Sequence, residues 1–252
     1  MSAAASAQLR ASATLARPGN EPLPPDPEAP EAPAPRDVAP HPPHGKVQAW
    51  TELLRTPLPH LEAEAFAQLH PVRVDQADGV TLLRIQPGQE VKRALAPWTR
   101  RFGTVVPVFT SLEAEANDLL GAPEEAARWL QERPLLCCTV PVMDDLLIAA
   151  RGMTAQAATS GITRAARELA YAAAALVVAA SQRWPGAQIP WADTKNRPTL
   201  RLVAQAIDLA LAAQDHARAL AWMRWMLGRD ADDAHGWRSV MDSLRQPDAS
   251  EP

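Results

Sequence analysis

The sequence predicts an α+β protein: a small mixed sheet with flanking helices, then an all-α helical domain, the whole preceded by a disordered Pro-rich arm. Three observations carry this reading. Eleven of the 25 prolines lie between Pro18 and Pro43. Apolar residues alternate on both sides of an Asp-Gly pair in the first half of the chain. Beyond residue 144 alternation stops and helical periods follow one another to the end.

Length and composition narrow the function classes before any motif is considered. At 252 residues, 47% hydrophobic and 21% charged, the chain has enough apolar material for a sizeable core. Lys+Arg 25 against Asp+Glu 29 gives a net charge of -4, so the broad positive field that phosphate backbones attract is missing and nucleic acid is not expected as a partner. The longest uncharged run, residues 169–182, has 14 residues. That is short of the ~18 to 20 a membrane span needs, so it reads as a buried helix. Only Cys137 and Cys138 are present, which excludes a disulfide framework or a four-cysteine zinc site and favours a reducing, cytoplasmic compartment. The first 20 residues contain Arg10 and Arg17, no acid and no continuous apolar run, so a general secretory signal is not supported. A signal for a specialised secretion machine has the same composition as a plain Ala-rich tail.

Residues 1–45 are the arm. Its Glu-Ala-Pro repeats hold no aromatic residue and cannot bury enough surface to offset the entropy of ordering, while proline keeps them extended. Residues 46–150 form the α+β domain. Helical spacing covers 47–54 and 61–69, the second stopped ahead of Pro71, which pushes its predecessor out of the α region. Val72 and Val74 alternate before Gln76-Ala77-Asp78-Gly79, and Val80 and Leu82 after it, giving a hairpin that turns at Asp78-Gly79. A helix over 89–101 carries Pro97 as a kink, and the β-rich run 104–109 has Pro107 where an edge or bulge suits it. Thr110 and Glu113 form a capping box for a helix ending at Gly121, and Pro123 opens a helix over 124–133. Residues 135–140 read as a fourth, buried strand in which the two cysteines act as small hydrophobes. Residues 151–246 form the helical domain, with helical periods over 144–158, 162–183, 199–213, 215–228 and 232–244 and short connections that set neighbours antiparallel. Residues 247–252 are a disordered tail.

Two resemblances emerge from these residues. Asn196-Arg197-Pro198 leading into a helix, Ala219 at a small position, and the string from Leu227 to Gly236 resemble a tetratricopeptide repeat (TPR) in the form found in many bacterial proteins. Ile207 stands where that repeat prefers Gly and Ala231 where it prefers Pro. One full unit is recognisable, against the ~3 that a stable array needs, so docking on the preceding helices would have to supply the missing neighbours. The string Pro107-Val108-Phe109-Thr110-Ser111, with Phe66 to Leu69 upstream and 135–147 downstream, is similar to the N-terminal domain of the SseB (enhanced serine sensitivity) family. That resemblance implies a small α+β domain over 46–150 and brings no catalytic residue.

No Walker A loop, dinucleotide-binding glycine motif, H-E-x-x-H or G-x-S-x-G string occurs, so no catalytic residue, cofactor site or metal site is expected. The six histidines have no metal spacing on a helix face, and from Asp230 the calcium-loop pattern fails at Met241. Asp230, Asp232 and Asp233 read instead as an inter-helix turn with an N-cap. Asp144 and Asp145, at an expected strand-to-helix junction, are the best-placed carboxylates for an enzyme reading.

The heaviest feature is an aromatic and thioether cluster in the last quarter of the chain. Trp222, Met223, Trp225 and Met226 span an arc wider than the ~100° stripe of a one-sided helix, so the helix is either sandwiched or partly exposed as a patch. Trp and Met are favoured at binding surfaces, and nearby arginines suit an acidic peptide. The expectation is therefore a non-catalytic, cytoplasmic adaptor that binds another protein through Trp222, Trp225, Met226, Arg218, Arg229 and Trp237. Its oligomeric state is left open. The alternative is a secretion-associated protein or delivered effector with its signal in the arm.

Overall fold

The computed structural model describes residues 44–103, 122–156 and 160–245. The arm up to residue 43, the strand and helix expected over 104–121, and the 247–252 tail lie outside the described residues. What is described is mostly helical, with one two-stranded antiparallel sheet.

Helix α1 (His44–Arg55) buries Trp50, Leu53 and Leu54 at i, i+3 and i+4. A 3-10 turn, Leu58–His60, leads to α2 (Ala63–Leu69), which ends at His70 ahead of Pro71. The hairpin follows as β1 (Val72–Ala77) and β2 (Val80–Ile85), Ala77 pairing with Val80. Asp78 and Gly79 turn it with φ of 50° and 78°, the left-handed pair a two-residue hairpin loop requires. Helix α3 (Gln89–Arg101) runs through Pro97 and buries Leu95 and Trp98. Helix α4 (Pro123–Gln131) starts on its proline, as expected.

The expected strand at 135–140 is not one. Residues Pro134–Cys137 form a single helical turn, α5, and α6 (Val140–Gln156) begins immediately after. Two prolines explain the difference: Pro134 opens α5, and Pro141 falls in the first turn of α6, where its missing N–H costs nothing. Burial does not alternate either, since Leu135 is 67% exposed and every residue from Leu136 to Val140 is buried. A short apolar run fits both states, and the flanking prolines decide between them. The cysteines are free and buried, and burial pushes the Cys137 thiol up to about 12 and raises that of Cys138, so neither is a nucleophile near neutral pH.

Helix α7 (Ser160–Ser181) is the axis of the fold. Over its 22 residues, about 33 Å at 1.5 Å per residue, it packs on α1, α2, α6 and the next helix, α8 (Arg197–Ala212). That is why its middle is apolar all round and rich in alanine, which lets neighbours approach closely. Helices α9 (His216–Arg229) and α10 (Trp237–Arg245) complete the stack, α9 on α8 and α10 on α9. Alpha10 starts five residues later than the 232 expected, because Asp233 and Gly236 adopt φ of 48° and 72° and the chain is still turning there.

The expected division lies at residue 150. The border falls inside α6, and one hydrophobic cluster runs from Trp50 to Met241. The hairpin is bonded to the helical half: Asn196 Nδ2 donates to Leu83 O at 3.1 Å and Thr199 Oγ1 to Ile85 O at 2.9 Å. Gln188 bridges β2 in parallel, receiving 2.7 Å from Leu83 N and donating 2.8 Å to Thr81 O.

His70 ties α2 to α6. It is fully buried, stacks on Phe66 at 4.3 Å, hydrogen-bonds Phe66 O through Nδ1 at 3.0 Å, and accepts from Val140 N at Nε2, 3.1 Å away. That arrangement requires the neutral ring with its proton on Nδ1. Burial lowers its pKa from 6.5 to about 4, and the positive end of α6 works in the same direction. Between those values the unfolded chain holds a proton that the folded chain does not. The contribution is therefore complete above pH 6.5 and is lost as pH falls toward 4, by about 3 kcal/mol. Urea unfolding at pH 7 and pH 4.5 checks this: wild type should lose stability, and His70→Gln should lose markedly less.

Candidate interaction surface

Helix α9 carries most of the expected site. Asp215 caps it, its carboxylate accepting from Arg218 N at 3.3 Å. Ala219, Met223 and Met226 point inward at i, i+4 and i+7, opposite the buried Ala206 and Ala210 of α8. The arc is wide because Trp222 and Trp225, each half-buried, flank this inward face on the side toward α7. The edge of Trp222 meets Tyr171 at 5.0 Å, and Trp225 Nε1 donates to Ser181 Oγ at 3.2 Å.

The structure divides the six expected binding residues. Met226 and Trp237 are core. Trp237 is 7% exposed and stacks on His235, whose other contact is the Trp191 ring 4.4 Å away. Arg229 is buried too, because its guanidinium donates to Trp184 O at 2.7 Å, Ala187 O at 2.8 Å and Ser181 O at 3.0 Å. It closes the carbonyl end of α7, where backbone acceptors lack helical partners, and does not rim a patch. Burial lowers its pKa. Trp225 is half-buried between Ser181 and Arg229.

What remains at the surface is Arg218 with Trp222, joined by a residue the sequence reading missed. The Arg218 guanidinium lies over the Tyr171 ring at 4.5 Å and reaches Trp222 at 6.0 Å, while its Nε pairs with Asp215 at 3.3 Å. Burial first, then the Asp215 carboxylate, pushes the Tyr171 hydroxyl up, and Arg218 and Arg167 pull against them. Arg167 stands one turn before Tyr171 on α7. Two arginines and two half-buried rings therefore form a cationic aromatic ledge. Tyr171 had one signal in the sequence: it is the chain's single tyrosine, set in the uncharged run 169–182.

The carboxylates of the enzyme reading are structural. Asp144 is 3% exposed and accepts from Nε and Nη2, one edge of the Arg201 guanidinium, with Gln205 Nε2 at 3.4 Å. Burial pushes its carboxyl up and Arg201 opposes that shift. Asp145 accepts from Trp98 Nε1 at 2.9 Å. One joins α6 to α8, the other α6 to α3. Asp230 is likewise committed, accepting from Trp191 N and Ala234 N at 3.2 Å each. Asp233 caps α10 through Trp237 N at 2.7 Å. Among the described residues no group of three or more His, Cys, Asp or Glu side chains could hold a metal ion.

An open cleft of about 650 Å³ runs between α2 and the end of α7, walled by Ala63, Ala67, Gln68, Ala180 and Trp184 over His70. Both His70 nitrogens are engaged, so that ring supplies neither a free acid nor a free base to the cleft, which Glu64 and Arg183 also line. Among the described residues no helix is long and apolar enough to cross a membrane. No protein-family model matches the chain, and comparison with the curated proteins and with the solved structures finds no match.

Proposed function

We propose that the protein is a non-catalytic interaction adaptor of a bacterial cytoplasm, whose TPR-like helical stack binds an acidic, partly apolar segment of another protein. The single observation that carries this reading is the Tyr171–Arg218–Trp222 ledge. Tyr, Trp and Arg dominate binding hot spots because each combines a large apolar face with a polar end. The rings already brace one another, which lowers the entropy cost of ordering them on binding. The exposed Arg218–Asp215 pair contributes little to stability, so a partner's carboxylate can take the place of Asp215. Two thiols kept free and buried fit a reducing compartment. Nucleic acid fits poorly with a net charge of -4.

The test is comparative capture from a cell extract with the full-length wild type and with Trp222→Ala. Wild type should enrich a defined protein that Trp222→Ala retains at about a tenth of that level or less, the loss expected for a hot-spot side chain. Equal recovery by both proteins would refute the ledge as the binding site.

A further inference from the structure

Strand β1 presents an unpaired edge whose sequence is complementary to itself. The two-residue loop makes Ala77 and Val80 a hydrogen-bonded pair. Alternation then makes Asp75–Leu82 and Arg73–Arg84 the other bonded pairs, and turns the N–H and C=O groups of Val72, Val74 and Gln76 away from β2. The opposite edge of the hairpin confirms this phase, since Leu83 N and Thr81 O face outward and are taken by Gln188. Among the described residues no strand pairs with the β1 edge, and Arg73 to Ala77 are all exposed, Val74 at 43%.

We propose that this edge pairs with β1 of a second copy, antiparallel across a two-fold axis through Val74, joining two hairpins into one four-stranded sheet. Four features support that occupant and register. The outward groups are distributed symmetrically about Val74, so Val74 meets Val74 and Val72 meets Gln76 of the second copy, and every outward N–H and C=O is satisfied. The same register places Arg73 across from Asp75 of the second copy, twice. Centring one residue either way would oppose Arg73 to Arg73 or Asp75 to Asp75. Among the described residues Arg73 has no ion-pair partner: it stands opposite Arg84, whose guanidinium is shared by Asp75 at 2.6 Å and Asp193. The edge carries neither the proline nor the bulge that blunts exposed strands.

Analytical ultracentrifugation of the full-length chain over a concentration series tests the proposal. Wild type should show a reversible monomer–dimer equilibrium. Val74→Pro should be monomeric with an unchanged melting temperature, because the N–H it removes faces away from β2. Arg73→Asp and Asp75→Arg should each raise the dissociation constant about tenfold or more by opposing like charges, and an equimolar mixture of the two should recover dimer as the mixed species. The mixing result decides the matter if Val74→Pro fails to fold. A wild type monomeric throughout the series, or a dimer unaffected by the charge reversals, would overturn the proposal. The ledge on α7 and α9 shares no residue with this edge, so its test stands apart.

Discussion

Replacing Arg201 by alanine is expected to destabilise the protein by about 3 to 5 kcal/mol, the largest effect of any single substitution considered. The reason is what stays behind. Asp144 is 3% exposed, and with Arg201 gone its carboxylate keeps, among the described residues, only Gln205. A buried charge without a counter-ion must be protonated or hydrated, and either opens the α6–α8 contact. The deficit should be largest above the carboxylate range and smaller at acid pH, where neutral Asp144 costs less to bury. Arg201→Leu combined with Asp144→Leu should recover most of the loss, because an apolar pair removes both charges together. Denaturant unfolding of the single and double variants measures this directly. A double variant as unstable as Arg201→Ala would show that packing, and not the uncompensated charge, sets the cost.

Arg229→Ala should cost about 2 to 4 kcal/mol, as the Ser181 carbonyl at the end of α7 and the Trp184 and Ala187 carbonyls of the segment after it lose a charged donor. For a domain of this size that corresponds to a fall in melting temperature of roughly 5 to 12 °C. Arg229→Lys should recover only part of it, since a point-like ammonium cannot reproduce the planar fork. Hydrogen exchange should locate the damage in the last turn of α7 and the following segment around Gln188. Protection there equal to wild type would contradict the clamp.

The elements were legible where local chemistry specifies them. Asp78-Gly79 announced the hairpin, Pro123 the start of α4, and the helical spacing over 47–54 helix α1. Periodicity tells which face an element buries and not what it is buried against. That limit explains the reading of 135–140 as a strand and the border drawn through α6. Arg229, Met226 and Trp237 were placed at a surface for the same reason. An arginine beside tryptophans looks like a binding rim until the chain brings Ser181 O to it from 48 positions away. Tyr171 and Arg218 are 47 positions apart and meet only because the fold sets the first turn of α9 beside the middle of α7.

The central claim is that the partner sits on the Tyr171–Arg218–Trp222 ledge. Titration of the purified, captured partner into full-length wild type and Arg218→Glu tests it most directly. Arg218 is exposed and its ion pair with Asp215 is superficial, so the substitution should leave the melting temperature within about 2 °C. The affinity should nevertheless fall at least about tenfold, with a shallower dependence on salt, since an attractive charge has been reversed. Equal affinity and equal salt dependence in the two proteins would contradict the account.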